Sequence, residues 1–272
     1  MQFYVSWYPG DPWYPLYDDS CALLISVPSV SRRWRLTQMP NPPRSLIIDS
    51  GGYHFTASSA KPPTPENLFR WQLQMIENTN AAATLCALDF PIMDSGASDR
   101  EKYICIHQTI GYAYEFHTLM AAADLPKQMR GMAIVQGYDG ASLKYCAQEL
   151  KAIGFTHFGL GSLAPVRHHE EIFARVQAVM DVVGRDLHIF GIGAIKTLRE
   201  LRNLKTASVD TARPAKAAMY NQVFYSSPFR YYGVAASQDK SGLAMPKDRR
   251  ISQPLPCDCP ICKGDARQNL LK

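Results

Sequence analysis

Again and again along this chain a short apolar run stops on a polar or glycine residue. The fullest case is Ser45–Phe55, SLIIDSGGYHF, in which Leu46-Ile47-Ile48 ends on Asp49-Ser50 and a Gly-Gly pair. An apolar run of that length closed by glycine reads as a buried strand that turns sharply at its C-terminal end. The layout recurs in TLCALDFP, ending at Asp89, and in GMAIVQG, ending at Gln136. HFGLGSL ends at Gly161-Ser162, HIFGIG at Gly193 and ASVDTA at Asp210. Amphipathic, helix-like stretches lie between them. Strands alternating with helices imply a parallel sheet buried on both faces. The expected fold is α/β, a (β/α)8 TIM barrel, in which chemistry collects at the C-terminal strand ends.

The length fits. A barrel of this type takes about 250 residues, and this chain has 272. Seven strands can be placed, with Ala22–Val27 as the first or second; the missing one is expected within residues 1–20. Those residues carry Trp7, Tyr8, Trp13, Tyr14 and Tyr17 among prolines, and packing is the expected use of the aromatics. Helices are expected over about 66–80, from after Ser98 to about 123, over 141–153 with Gly154 as C-cap, over 168–183 capped by Gly184, and over 196–204. Strands are expected over 158–163, 188–193 and 208–211. Residues 28–44, with Arg32, Arg33, Arg35 and Arg44, read as a basic loop. The domain reading is a catalytic barrel over 1–225 and a basic segment over 226–272 packed on it.

No run of 18 apolar residues occurs, so no membrane span or membrane partner is expected. The N-terminus lacks the basic and apolar regions of a signal peptide. Seven cysteines, an odd number, fit a reducing cytoplasm better than a disulfide framework. Cys21, Cys86, Cys105 and Cys146 sit in apolar contexts and read as small buried hydrophobes. Net charge is +5, and the stretch 213–272 holds ten Lys and Arg against four Asp. That stretch therefore carries the whole excess, which suits either a polyanionic partner or a solvated tail.

Asp49, Asp89 and Asp210 would face one cavity in a barrel. Singly, an aspartate at a strand end serves as a turn or N-cap residue. Three of them, with Gln136 among them, call for another account. Paired carboxylates can divide nucleophile and acid/base roles at an anomeric carbon. A carboxylate beside a carboxamide can read the hydrogen-bonding edge of a purine. Gly51, Gly52, Gly137 and Gly161 would let a flat ring or a sugar-phosphate approach the backbone closely. A second cluster is Cys257-x-Cys259-x-x-Cys262, three thiols at a spacing that suits a structural tetrahedral Zn2+ site needing one further ligand. No histidine follows Cys262, so that ligand would be Asp265 or a histidine from elsewhere. His168-His169, at a helix start, read as exposed surface.

Taken in order, these residues resemble the tRNA-guanine transglycosylase superfamily over most of the chain, from Asp49 to Cys262. The D-S-G-G motif falls on Asp49, Ser50, Gly51 and Gly52, and the base-reading aspartate on Asp89. V-Q-G falls on Val135-Gln136-Gly137, and G-G-L on Gly161-Ser162-Leu163. The nucleophilic aspartate falls on Asp210 in VDTARPAK, and the zinc cysteines on Cys257, Cys259 and Cys262. The resemblance implies base exchange: Asp210 attacks C1′ of a guanosine, guanine leaves, and a free 7-deazaguanine enters a pocket read by Asp89, Gln136 and the Gly161–Leu163 backbone. Ser50 and Gly51 belong to the same base-binding set, and Asp49 is the acid/base. No redox cofactor or ATP is implied.

The chain departs from the tRNA-acting pattern where Tyr53-His54 follow D-S-G-G in place of Phe-Gln. It departs again where Arg213-Pro214-Ala215-Lys216 replace the expected Pro-Thr-Arg, and it lacks a longer leading segment and a histidine beyond the cysteines. It is most similar to the compact DNA 7-deazaguanine transglycosylases, some of them virus-encoded and active in a host cytoplasm. DNA is therefore the expected polymer, with 7-cyano-7-deazaguanine as one incoming base. The target base would leave the duplex at a cost of a few kcal/mol. The alternatives are a short tRNA-guanine transglycosylase acting on tRNA and a non-catalytic nucleic-acid-binding subunit of such an enzyme. Three retained aspartates argue against the latter. A homodimer or a heteromeric partner is compatible with either. An aldolase-like barrel is disfavoured because no lysine ends a candidate strand.

Overall fold

The computed structural model describes residues 1–58, 60–93, 96–163, 166, 168–220, 222–226 and 229–233. The chain divides into two compact units, Met1–Thr211 and Ala212–Lys272. The first is a closed barrel of eight parallel strands, β1 (Gln2–Trp7), β2 (Ala22–Ser26), β3 (Ser45–Asp49), β4 (Ala83–Cys86), β5 (Met129–Val135), β6 (Phe158–Leu160), β7 (Leu187–Ile189) and β8 (Ser208–Thr211). The strand sought within the first twenty residues is β1, which pairs with β2 on one side and closes the barrel on β8 at the other.

The first two crossovers carry no α-helix. Their prolines restrict the backbone, and the chain makes only short 3-10 turns at Tyr14–Leu16, Val27–Ser29 and Leu36–Gln38. Trp7 and Trp13 are buried edge to face at 5.3 Å, whereas Tyr8 and Tyr17 are exposed. The packing expected of this stretch therefore holds for the tryptophans and not for those two tyrosines. From β3 onward helices surround the sheet: α1 (Gly52–Ser58), α2 (Pro65–Met75), α3 (Asp99–Ala122), α4 (Gly140–Ile153), α5 (His169–Val183) and α6 (Ile195–Leu204).

Local chemistry sets their ends. Thr64 caps α2 through Asn67 N–H, with Pro65 at the first position; Ser98 and Glu101 form a capping box on α3. Gly154, at φ 117°, ends α4 in the left-handed conformation. Helix α2 stops at Met75, short of the expected 80, because the chain turns at residues 76–78 and Asn78 adopts φ 59°. Strands β6 and β7 are shorter than expected because Ser162 (φ 53°) and Gly191 (φ 72°) turn the backbone just beyond them.

The pleat sorts each strand into two faces. Tyr4, Ala22, Leu24, Ile47, Cys86, Met132 and Ile134 pack together with Phe190 as the barrel filling. Leu23, Ile25, Leu46, Ile48, Leu85, Ala133, Val135, Leu187, Ile189 and Val209 belong to the larger core shared with the helices. Two residues further along this face lie Ser6, Ser26, Asp49 and Gln136; His188 lies two residues before Phe190, and Asp210 pairs in register with Tyr4.

Within the second unit, α7 (Arg213–Met219) precedes an antiparallel hairpin, β9 (Gln222–Ser226) and β10 (Phe229–Gly233). Cys257, Cys259, Cys262 and Asp265 lie outside the described residues. Among the described residues no group of three or more His, Cys, Asp or Glu is placed to hold a metal. None of the described helices is long and apolar enough to cross a membrane.

Candidate active site

Two hydrogen-bonded constellations stand at the C-terminal strand ends. The first is centred on Asp89, which follows β4 and is buried. Ser50 Oγ donates to its Oδ1 at 3.1 Å, and Gln136 Nε2 donates to its Oδ2 at 2.5 Å. Ser162 Oγ donates in turn to Gln136 Oε1, and Ile92 N–H donates to Ser162 Oγ. The carboxamide of Gln136 is thus fixed in one orientation. Burial, and then the charge of Asp49, push the Asp89 carboxyl up from 3.8 to about 7, against the Ser50 and Gln136 hydrogen bonds. Around neutrality this group can gain or lose a proton.

The glycine pair after Asp49 is sterically required. Gly51 sits at φ 87°, and a Cβ there would strike Pro28; a Cβ on Gly52 would strike the Asp89 carboxylate and carbonyl. The turn therefore brings β3 against the end of β4. Asp49 accepts from Gly51 N–H at 3.1 Å. Its carboxyl is raised by enclosure and by Asp210, and held down by the Ser26 hydroxyl, Gly51 N–H and His188.

The second constellation holds Asp210, buried on β8. Ser6 Oγ donates to its Oδ2 at 2.7 Å. Gly191 N–H donates to Oδ1 at 2.8 Å, and His188 Nε2 lies 3.3 Å from the same oxygen. His188 pairs in register with Ser208 across β7 and β8, and its Nδ1 lies 2.8 Å from Ser208 Oγ. Tyr8, half exposed just past β1, has its phenol raised by partial burial and by the charges of Asp49 and Asp210.

The structure therefore brings together Asp89, Gln136, Ser162 and Ser50 in one network, with Asp49 and Asp210 in electrostatic reach of each other. Gly161 and Leu163 flank Ser162, and a Cβ on Gly161 would strike the Gln136 carboxamide. Ser6, Ser26, Tyr8 and His188 are site residues that motif reading missed; strand parity points to all but Tyr8. Arg175 on α5 was also missed. It donates to the carbonyls of Tyr138 at 2.8 Å and Ser162 at 3.2 Å, tying down the loops after β5 and β6. Cys86 and Cys146 are buried as expected, with thiols pushed up by burial, while Cys21 and Cys105 are only partly buried. His168 is exposed, but His169 is partly buried, with Nδ1 2.7 Å from Thr197 Oγ1.

A closed parallel barrel whose C-terminal strand ends gather three acids and a fixed carboxamide has the layout of a barrel enzyme, where chemistry collects at those ends. Residues 73–272 match the family TGT, queuine tRNA-ribosyltransferase. The chain belongs to that family, and with it to the glycosyl-transferring, base-exchanging class.

Proposed function

We propose that this protein exchanges guanine in a nucleic acid for a 7-deazaguanine base through a covalent aspartyl-glycosyl intermediate on Asp210. The observation that supports the reading is the difference in surroundings among three neighbouring acids. Asp210 is aimed by three donors, Asp49 is raised, and Asp89 is locked to a carboxamide. In the first half-reaction a lone pair of the Asp210 carboxylate forms the bond to C1′ as the bond from C1′ to N9 breaks. The electron pair leaves on guanine, and Asp49, whose carboxyl is raised by its enclosure, supplies the proton. In the second half Asp49 takes the proton from N9 of the incoming base, N9 attacks C1′, and the electron pair returns to Asp210. Asp89 accepts from the N1–H and N2–H groups of the purine, while Gln136 and the Gly161–Leu163 backbone meet the opposite edge.

The matched family's description supports tRNA as the polymer. The second reading, DNA, rests on Tyr53-His54 and on Arg213–Lys216, where the sequence leaves the tRNA-acting pattern. Labelled guanine and labelled 7-cyano-7-deazaguanine, offered in parallel with bulk tRNA, duplex DNA and single-stranded DNA, decide between them. Label in one polymer, absent with Asp210→Ala, assigns polymer and nucleophile together. Label in none, with nucleic-acid binding intact, would return the chain to a non-catalytic subunit.

The donor chemistry of Cys257, Cys259 and Cys262 fits zinc, which would staple the basic C-terminal segment without touching the reaction. About one zinc per chain by metal analysis, lost in Cys259→Ser, is the expected result; a metal-free wild type with full exchange activity would remove zinc from the account.

A further inference from the structure

We infer that His188 is a positioning residue for Asp210, selecting which carboxylate oxygen attacks and stabilising the carboxylate when it departs. This rests on Asp210 being the nucleophile, as proposed above.

The argument starts from the lone pairs. A carboxylate oxygen offers two acceptor directions. Oδ1 of Asp210 meets two donors, Gly191 N–H at 2.8 Å and His188 Nε2 at 3.3 Å, so both of its directions are engaged. Attack then falls to Oδ2, which Ser6 Oγ–H steadies at 2.7 Å. Oδ1 and Ser208 set the imidazole between them. The ionised Oδ1 can only accept, so the Nε2 that faces it carries the ring proton, and Nδ1, 2.8 Å from Ser208 Oγ, is left to accept from that hydroxyl. Tyr4 and Phe190 hold the ring edge to face at 5.8 and 4.5 Å, and the residue is 2 % exposed, so the imidazole has little room to turn.

Both half-reactions use this arrangement. When Oδ2 bonds to C1′, Oδ1 becomes the carbonyl oxygen of the ester and keeps its two donors. When the incoming N9 displaces the ester, the C1′–Oδ2 bond breaks and a full negative charge returns to the carboxylate. The Nε2–H and Gly191 N–H then stabilise the departing group, as fixed donors aimed at developing charge do elsewhere. The second half-reaction gains most.

The test compares wild type, His188→Phe, His188→Gln and Ser208→Ala for exchange of labelled guanine into bulk tRNA and duplex DNA, offered separately. A denaturing gel follows the covalent enzyme–polymer adduct formed without free base and chased by adding guanine. His188→Phe keeps the packing and loses the donor. It is expected to lower kcat about tenfold to a hundredfold, to leave KM for guanine within about twofold, and to slow the adduct chase more than adduct formation. His188→Gln, which restores an N–H near the Nε2 position, should regain part of the rate. Ser208→Ala, which frees the tautomer while leaving the ring, should cost severalfold and covers the case in which the phenylalanine variant fails to fold. Exchange within twofold of wild type in His188→Phe or Ser208→Ala overturns the inference. So does a loss of kcat that tracks thermal stability across the variants, or a glutamine variant no better than phenylalanine. If wild type forms no adduct, or Asp210→Ala still exchanges, the proposed function itself fails and the role of His188 falls with it.

Discussion

Asp89 shows how much one residue's surroundings decide. An aspartate on an open turn would stay ionised at any physiological pH, but burial and the charge of Asp49 lift this one to about 7. A purine edge that offers only donors needs the carboxylate form, so guanine binding should strengthen as pH rises through about 7 and level off above it. Fluorescence or calorimetric titration of free guanine between pH 5.5 and 8.5 checks this, and a flat profile would sink it. The same shift bears on stability. A folded pKa above the unfolded value of 3.8 means that the native state holds the extra proton. Its contribution is therefore fully present below about 4 and lost as pH rises through about 7. Three pKa units at about 1.4 kcal/mol each put the cost of the ionised, buried group at about 4 kcal/mol. Asp89→Asn should accordingly abolish exchange yet raise the unfolding temperature at pH 8. A variant that loses activity and stability together would mean that the carboxylate chiefly supports the fold.

At the scale of elements, helix α2 does more than cover the barrel. Gln72 lies between Leu68 and Met75 on its buried face, and Nε2 donates to the carbonyls of Ile48 at 3.1 Å and Cys86 at 2.8 Å. Those carbonyls lie just before the turns carrying Asp49 and Asp89, so one amide holds the two strand ends of the candidate site together. Gln72→Leu keeps the shape and strands both carbonyls. It should cost about 2 kcal/mol in urea unfolding and reduce exchange through Asp49 and Asp89 alike; an unchanged midpoint would show that the carbonyls find other donors. The helix over about 66–80 was legible, but Gln72 was not, because nothing in a helical pattern marks a polar residue whose partners are carbonyls on two strands. The same distinction runs through the site. The strand ends were legible because apolar runs stop on Asp49, Asp89, Gln136 and Asp210, and the pleat carries the legibility further, since Ser6, Ser26 and His188 share the inward parity of Tyr4, Leu24 and the barrel filling. Tyr8 and Arg175 were not legible, because loop conformation and a long reach across α5, rather than periodicity, bring them to the site. The basic loop expected over 28–44 does hold no α-helix, but its prolines did not say which 3-10 turns it makes.

Across the whole molecule, the proposed function would have binding a polymer and exchanging a base draw on different parts of the chain. The barrel mouth is built from acids, which repel phosphate. The excess of basic residues lies instead in 213–272, where ten Lys and Arg meet four Asp. Polymer affinity should then come largely from counterion release, falling with salt by about 0.9 in log–log slope for each phosphate contact on duplex DNA and about 0.7 on single strands. Free guanine, which carries no phosphate, should bind with little salt dependence. Replacing Lys247, Arg249 and Arg250 by alanine should lower the salt slope and raise KM for the polymer, while KM for guanine and the chase rate of a preformed adduct stay as in wild type. The check is a pair of titrations from about 50 to 200 mM salt, one with polymer and one with guanine. An unchanged slope in the triple variant would place the phosphate contacts elsewhere, with the Arg32, Arg33, Arg35 and Arg44 loop as the next segment to neutralise. A change in guanine affinity would mean that the C-terminal charges act on the barrel chemistry itself, and the division between the two parts would not hold.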